Sequence, residues 1–327
     1  MADEFIVGID GGASKTRAAV LSGSGAVLAV ATVQSASAYH REPEEAAGVV
    51  VAAAQEALRQ ADLRPPVRAL GAGLAGADDP AVRARLVAVL RASGLAPHVH
   101  VDHDAAAALA GGLCLAPGVV IIAGTGSVAF GVDRDGNRAR CGGWGPLLDD
   151  EGSGYAIGRA VLRAAMRAHD GRGPATALAD AVRARFALRS LDALKQAVRG
   201  VGIDEVAAVA PLAFAAARAG DAAARRILRR AGRDLAMMIG AVARALGWAA
   251  SAFPLIAVGG VFEAGDLIIA PMTEALRAAG IAAALRPAAL SPEIGAALLA
   301  ARASGLDATA LAARLTARRR GDLDAPE

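Results

Sequence analysis

The chain has 327 residues, of which 55% are hydrophobic and 20% charged, a composition typical of a globular protein large enough for two domains. Its net charge of +3 comes from arginines spread along helical segments, and only 3% of its residues are aromatic, so nucleic-acid binding is not expected. Two cysteines, Cys114 and Cys141, are too few for a disulfide framework or a four-cysteine metal site. The acidic N-terminus differs from a signal peptide and no long apolar stretch lacks charges, so the sequence predicts a cytoplasmic protein that does not enter a membrane.

The first half of the chain is predicted to open with an antiparallel meander of three short strands. Their segments are apolar and β-branched, and they are separated by a glycine turn and by SGSG. Apolar residues at helical spacing and strand-like apolar runs predict the elements that follow. The segments are the strands FIVGID, TRAAVL and AVLAVAT, then helices over 41–61 and 79–94 and strands over 67–76 and 98–104.

The second half repeats the opening plan of strand, glycine turn, strand, Asp-Gly turn and strand from residue 118 onward. This internal duplication predicts two α/β domains, 1–117 and 118–327, that face each other across a cleft. A last helix is predicted from about Ser291, packing either within the second domain or back on the first. The other predicted elements are helices over 152–170, 174–187, 220–247 and 266–279 and a strand over 254–262.

Two glycine turns are candidate phosphate-binding sites. The first, VGIDGGASKT over 7–16, fits neither a Walker loop, because Ser14 stands where glycine is needed, nor a dinucleotide fingerprint. The second is GTGS over 124–127. Glycine lets backbone N–H groups approach a phosphate, although either turn alone could be purely structural. Asp10 ends an apolar strand, and a hydrated Mg²⁺ on the phosphates would offset the burial of its carboxylate.

Three further segments carry side chains with more than one interpretation. Asp104 follows a strand directly, where it could cap the next helix, accept a proton, or do both. Trp144 lies between glycines and either rests on a polar ring-shaped ligand or plugs the core. Asp150 and Glu151 open a helix, where acids favour the N-terminal dipole in any case. The VGGVF segment over 258–262 either admits a nucleobase or ends a strand.

Taken together, these motifs resemble those of the actin-like, sugar-kinase and heat-shock ATPase superfamily. Within it the chain is most similar to the N-acetylglucosamine kinase and glucosamine kinase branch of the BadF/BadG/BcrA/BcrD ATPase family, and the likeness extends to about residue 304. The resemblance implies two duplicated ribonuclease-H-like domains flanking an ATP and sugar cleft. The matching segments, in family order, are GIDGGASKT, GLAGADDP, HDAAAAL, IIAGTGS, GGWGPLLDDEGSGYAIGR and VGGVF.

The resemblance also implies an activity, its cofactors and a set of site residues. ATP and Mg²⁺ would be used to phosphorylate an amino sugar at its 6-hydroxyl, with Asp104 as the base and Asp10 holding the metal. The implied nucleotide-binding residues are Gly11, Gly12, Ser14, Lys15, Thr16, Gly124, Thr125, Gly126, Ser127, Gly259 and Gly260. The implied sugar-side residues are Asp104, Thr125, Gly143, Trp144, Gly145, Asp150 and Tyr39.

One departure from the family leaves the sugar open. The family commonly has an Asn after the third strand, whereas this chain has Tyr39, with Ser37 and His40 beside it. N-acetylglucosamine is expected first and glucosamine next, and a muramic-type amino sugar stays open. The rival interpretation is an ATPase that activates a partner enzyme through an iron–sulfur cluster, but Ala123 stands where that branch has a cysteine. A homodimer is expected. A third interpretation, a sugar-responsive transcriptional regulator, is not favoured, because such a protein would need a helix-turn-helix segment and the sequence has none before residue 5.

Overall fold

The structure is a computed structural model that describes residues 4–12, 15–38, 41–248 and 251–324. These residues form two β-sheets with α-helices packed against them. The strands are β1 (Phe5–Gly11), β2 (Thr16–Ser22), β3 (Val27–Val33), β4 (Ala69–Leu74), β5 (His98–Asp102), β6 (Gly118–Ala123), β7 (Ser127–Val132), β8 (Arg138–Gly142), β9 (Phe253–Val258) and β10 (Ala283–Arg286). The α-helices are α1 (Pro43–Gln60), α2 (Pro80–Ala92), α3 (Asp104–Gly112), α4 (Gly154–His169), α5 (Leu178–Arg185), α6 (Leu194–Ala197), α7 (Ile203–Ala207), α8 (Ala210–Arg218), α9 (Ala222–Ala245), α10 (Asp266–Ala278), α11 (Pro292–Ala303) and α12 (Ala308–Asp324).

The two sheets have the same strand order. It is β3-β2-β1-β4-β5 in one sheet and β8-β7-β6-β9-β10 in the other, so in both cases the third, second, first, fourth and fifth strands follow one another. In the first sheet, β1 pairs antiparallel with β2 and parallel with β4. In the second, β7 pairs antiparallel with β8, and β6 pairs parallel with β9. The predicted duplication of an α/β domain that begins with a meander is confirmed.

The chain divides into two compact units, and the second ends earlier than the predicted second domain. The first unit contains Met1–Gly118 together with Pro287–Glu327, and the second contains Val119–Arg286. The predicted boundary after residue 117 lies one residue from the observed one. The range 118–327 extends past the second unit, and of the two placements left open for the C-terminal helix the structure has the return to the first domain, because both α11 and α12 belong to the first unit.

Close packing of α11 on the first sheet explains this return. The helix lies against β1 and β4, and a Cβ atom on Gly8 would overlap the carbonyl oxygen of Glu293. A Cβ atom on Gly71 would likewise overlap the carbonyl oxygen of Ala296. Since only glycine lets a helix backbone approach a strand this closely, the two glycines and α11 form one packed unit.

Alternation along β1 divides the core of the first unit between the two faces of its sheet. Val7 and Ile9 are fully buried in the cluster that includes residues of α1 and α2. Ile6 is fully buried in the cluster that includes residues of α11 and α12. Because successive side chains of a strand point to opposite faces, Gly8 and Asp10 share the face of Ile6. The strand therefore presents Asp10 on the side where α11 packs.

Several predicted elements end differently in the structure. The strand predicted over 254–262 stops at Val258, and a short 3₁₀ helix, Gly260–Ala264, follows it. The single predicted C-terminal helix is two helices, α11 and α12. Helices α6 to α8 and strand β10 were not predicted. Across the described residues no single helix has the length and apolarity to span a bilayer, and one bent pair, Ile203–Arg218 with Ala222–Ala245, meets those criteria only when joined.

Candidate active site

Two carboxylates lie at the carboxyl ends of parallel strands in the first unit. Asp10, at the end of β1, is in register with Gly73 of β4, and Gly73 is in register with Asp102 of β5. Asp104 begins α3 two residues after Asp102. In open α/β sheets, ligands bind beyond the carboxyl ends of the strands. The sheet thus brings Asp10 and Asp104 to the edge where a ligand is expected.

Gly73 allows α3 to begin this close to the sheet. A Cβ atom at this position would overlap the side chain of Ala107 and would lie 3.4 Å from the Cα atom of Asp104. The first turn of α3 therefore rests directly on the backbone of β4. This contact fixes the distance of Asp104 from the sheet, and with it the distance from Asp10.

The two interpretations of Asp104 can now be compared. His103 takes the N-cap position of α3, and its side chain makes no cap hydrogen bond. Asp104 is the first helical residue, and its Oδ1 atom accepts the N–H of Ala105 at 2.8 Å. The carboxylate is half-buried rather than sealed. Binding to the helix start through one oxygen is thus compatible with a proton-accepting role for the other.

Asp10 and its charged neighbours together carry more negative than positive charge, three acids against two bases. Burial, followed by the negative charges of Asp104 and Glu293, raises the pKa of Asp10 to about 7, and Arg17 and Lys15 only partly oppose the shift. Glu293, at the start of α11, is 2% exposed and pairs with Arg17 at 3.1 Å between Oε1 and Nη2. Within the described residues its Oε2 atom has no hydrogen-bond partner. A proton or a cation near Asp10 would relieve this imbalance.

The first glycine turn supplies fewer phosphate-facing groups than the sequence suggested. Thr16 is completely buried, and its hydroxyl accepts the N–H of Ala36 at 2.7 Å, so the prediction that it contacts phosphate is corrected to a structural role. Gly11 is buried, Gly12 donates its N–H to the carbonyl of Lys15 at 3.1 Å, and Lys15 is exposed.

Three residues named in the sequence analysis belong to segments outside the described residues. Ser14, predicted to bind nucleotide, and Tyr39, predicted on the sugar side, both lie outside the described residues, as does His40. Of the three residues near the expected Asn position, Ser37 is described and is 1% exposed. A ligand therefore has no access to the Ser37 side chain in this conformation.

In the second unit, the 124–127 turn is held from several directions. A Cβ atom on Gly259, which has a φ of +115°, would overlap the carbonyl oxygen of Ala123 and lie 3.0 Å from the nitrogen of Gly124. Gly154 at the start of α4 donates its N–H to the carbonyl of Gly124 at 2.8 Å. The structure thus brings together the predicted phosphate turn and the predicted adenosine residues Gly259 and Gly260, both of which are exposed.

Part of the turn's hydrogen-bonding capacity is used within the protein. Gly124 donates its N–H to the carbonyl of Gly126 at 2.9 Å. Ser127 donates its N–H to Asp150 Oδ1 at 3.0 Å and its hydroxyl to the carbonyl of Glu151 at 2.8 Å. Ser127 therefore organises the turn rather than presenting donors to a ligand. Among the described residues no acceptor faces the N–H of Gly126.

Asp150 supports the turn from behind. It is 5% exposed, has a φ of +67°, and a Cβ atom on Gly126 would lie 2.8 Å from its Oδ1 atom. Burial raises its pKa, and the hydrogen bond from Ser127 opposes that shift. The strained backbone of a non-glycine residue in the left-handed region is maintained by these surroundings.

The loop after β8 lies next to the same turn. Gly143 donates its N–H to the carbonyl of Ser127 at 2.9 Å, and Gly145 is buried. Trp144 is 61% exposed, and the guanidinium of Arg140 lies 4.5 Å from its ring centroid. The interpretation of Trp144 as a plug of the core is therefore wrong. Its indole ring is exposed beside the 124–127 turn.

Sequence reasoning missed three charged residues at these sites. Arg17 and Glu293 flank Asp10 in the first unit. Asp204, in α7, accepts the hydroxyl of Thr125 at 3.0 Å in the second. The sequence could have pointed to Arg17 and Glu293, because each is the only charged residue of an otherwise apolar segment. Arg17 lies in TRAAVL and Glu293 in EIGAALLA. No such pattern pointed to Asp204, since it lies in a charged helix start.

Duplicated α/β units that each carry a glycine turn after the first strand, with two carboxylates at strand ends of the first unit, define a protein of the nucleotide-using phosphotransfer class. The sequence profile of the BadF/BadG/BcrA/BcrD ATPase family matches residues 7–300. The chain belongs to this family, as predicted from its motifs.

Named relatives agree with this assignment. An N-acetylmuramic acid/N-acetylglucosamine kinase from Clostridium acetobutylicum is 32% identical over 80% of this chain and 86% of its own length. An N-acetyl-D-glucosamine kinase from Dictyostelium discoideum is 32% identical over 92% and 98%. A crystal structure from Chromobacterium violaceum, assigned as a candidate N-acetylglucosamine kinase, superposes with a TM-score of 0.75 at 26% identity, covering 91% of this chain and 99% of that one. The predicted ATP-dependent sugar kinase is confirmed at the level of enzyme class.

Proposed function

We propose that this chain transfers the γ-phosphoryl group of ATP to the 6-hydroxyl of an amino sugar, with N-acetylglucosamine preferred and glucosamine next. The observation that carries the proposal is the pair of carboxylates, Asp10 and Asp104, held at the carboxyl ends of β1 and β5, the two strands that flank β4 in the first unit. The names of the two curated relatives support the choice of amino sugars. A cytoplasmic location and a homodimer remain predictions.

Asp104 is proposed as the general base. It is half-buried at the first residue of α3, where the contact of α3 with Gly73 fixes its position. One carboxylate oxygen binds the helix start, and the other is proposed to take the proton of the sugar hydroxyl as that oxygen attacks phosphorus. Phosphoryl transfer depends mainly on positioning and charge stabilisation, so a rigidly held base suits the reaction.

The residues around Asp10 fit a magnesium ion bound together with the phosphates of ATP. Mg²⁺ usually takes one or two protein carboxylates, keeps several waters and shares phosphate oxygens. Asp10, with the charge of Asp104 nearby, matches such a donor set, and burial followed by the neighbouring negative charges raises its pKa. Among the described residues no three His, Cys, Asp or Glu side chains are placed to hold a metal ion by themselves. When bound, the ion would neutralise charge on the phosphates.

The proposed ligand contacts follow the geometry of each unit. The backbone N–H group of Gly126 and the exposed Lys15 are proposed to face phosphate oxygens. Gly259 and Gly260 are proposed to lie along adenosine, because they are exposed and without side chains beside the turn. On the sugar side, Trp144 is proposed to cover the ring, with Thr125, Gly143, Gly145 and Asp150 shaping its surroundings.

An ADP-release assay over a panel of sugars tests the proposal. The panel contains N-acetylglucosamine, glucosamine, N-acetylmannosamine, N-acetylmuramic acid and glucose, and purified Asp104→Asn protein serves as the blank for contaminating kinases. ADP release that depends on an amino sugar, with phosphate recovered on the 6-oxygen, is the expected result. ATP hydrolysis indifferent to every sugar but stimulated by a protein partner, together with bound iron, would establish the activator interpretation instead.

A further inference from the structure

A groove in the second unit is lined by an unusual number of arginines. It has a volume of about 620 Å³ and runs between α4 and α9. We call it the arginine groove. Its arginines come from α4, from the turn that follows α4, and from α9, and they are Arg159, Arg163, Arg167, Arg172, Arg226 and Arg230. None of these six residues was assigned a role above.

The charges of these helices are not balanced by acids. Helix α4 contains no Asp or Glu in its sixteen residues, and the 24 residues of α9 contain one, Asp234. Arg159, Arg163 and Arg167 follow one another at intervals of four, as do Arg226 and Arg230. Like charges at this spacing repel one another along a helix. A face that served only to be solvated would gain from interspersed acids, as in α1, where Glu56 pairs with Arg59.

Three of the arginines have no partner at all within the described residues. Arg163, Arg167 and Arg226 form neither an ion pair nor a hydrogen bond through their side chains. The acids that line the groove are Glu151 and Asp234, and Asp234 already lies 3.6 Å from Arg230. The groove therefore carries uncompensated positive charge on both of its walls.

The dimensions of the groove favour a ligand with several negative groups. Eight residues of helix separate Arg159 from Arg167, which corresponds to about 12 Å along α4. Arg226 and Arg230 line the groove from the opposite helix. A single phosphate cannot reach all of these guanidinium groups, whereas a cavity of this volume accepts a small molecule. Arginine binds phosphate oxygens in a two-pronged, charge-assisted manner.

We propose that the arginine groove binds a small anion that carries two or more phosphate groups. This proposal goes beyond the kinase activity and does not depend on it. A second copy of the chain is a poorer occupant, because a two-fold interface would bring the same arginines together. A nucleic acid is also a poorer occupant, since the residues lining the groove, all in the described part of the chain, include no aromatic side chain for base stacking.

The groove adjoins the 124–127 turn, so a test must distinguish binding in the groove from binding at the turn. Glu151 and Gly152 line the groove, and the carbonyl of Glu151 accepts the hydroxyl of Ser127. A phosphate chain bound at the turn could otherwise be mistaken for one bound in the groove. Substitutions along the helices, away from the turn, make this distinction.

Calorimetric titration of the full chain with inorganic tripolyphosphate tests the proposal. The test variant is Arg163→Gln with Arg226→Gln, and the matched control is Arg189→Gln with Arg277→Gln, two exposed arginines of the same unit outside the groove. Glutamine has a helix propensity close to that of arginine, and circular dichroism checks that both variants are folded. Loss of one binding site, or weakening by about tenfold or more, is expected in the test variant alone.

Four results would overturn the proposal. Titration curves that are the same for the test and control variants would place the ligand elsewhere, at the turn for example. Binding that does not saturate in the wild type would indicate an adventitious ion only. Tighter binding of a single-stranded oligonucleotide through the same arginines would make the groove a nucleic-acid surface. A change of oligomeric state in the test variant, without anion binding in the wild type, would make it a subunit interface.

Discussion

Replacing Asp10 by Asn should stabilise the ligand-free protein above pH 7. Burial and the charges of Asp104 and Glu293 raise the pKa of Asp10 from 3.8 to about 7. The folded state therefore binds the proton more tightly than the unfolded state, and stability falls as the pH rises from about 4 to about 7. Asn carries no charge at any pH, so the variant avoids this loss.

The magnitude follows from the shift. About three pKa units at 1.36 kcal/mol each set an upper limit of about 4 kcal/mol. Asp10 retains some access to water, which screens its charge, so we expect about 2 kcal/mol at pH 8. For a unit of this size, that corresponds to about 4–8 °C in the Tm.

The assay is a series of thermal melts from pH 4 to pH 9 without Mg²⁺ or ATP. The Tm of Asp10→Asn minus that of the wild type should be near zero at pH 4 and should reach its full positive value above pH 7. Asp180→Asn, at an exposed position in α5, is the control and should show no such trend. A difference that does not depend on pH, or a variant less stable than the wild type at pH 8, would refute the electrostatic account. Mg-ATP should raise the Tm of the wild type and not that of the variant.

Three further predictions concern other residues of the site. Asp104→Asn should lower kcat by about 10²- to 10⁴-fold while calorimetry finds ATP binding retained, and near-normal turnover would remove Asp104 from the role of base. Gly259→Ala should lower the Tm strongly, because its Cβ atom would overlap a backbone oxygen at a φ of +115°. Gly280→Ala is the control, because Gly280 has a φ of +71° and open space around it, and this variant should lose only about 1 kcal/mol of stability. Equal losses of stability in the two variants would contradict the steric overlap at Gly259. Trp144→Ala should raise the KM for sugar with little change in the Tm, because the ring is 61% exposed. A large fall in the Tm would instead show that the ring packs in the core.

Local patterns in the sequence were sufficient for the strands, the turns and most helices. The meander β1 to β3 was recognisable from short apolar runs broken by glycine, and α2 from the proline at its start. Asp79 caps α2 by accepting the N–H of Ala81 at 2.7 Å, an interaction between residues two apart. Such features involve near neighbours, so a window of a few residues contains all the information they need.

The same locality limited what could be said about the site. Thr16 belonged to the motif, yet the strand geometry buries its hydroxyl against Ala36, twenty residues away. Trp144 had two interpretations that only its exposure could separate. The roles of Ser127 and Asp150 depend on a hydrogen bond between them that no spacing rule predicts.

The most consequential difference lies at the C-terminus. The apolar run after Ser291 indicated a helix, but nothing in the run says which sheet it covers. Gly8 and Gly71, more than two hundred residues earlier, leave the space that α11 fills, and α11 carries Glu293 to Arg17 and Asp10. Near neighbours along the chain therefore fix the glycine turns and the position of Asp10 at a strand end. Steric fit between distant segments fixes the charges that surround Asp10, because burial and Coulomb interactions depend on distance in space rather than along the chain.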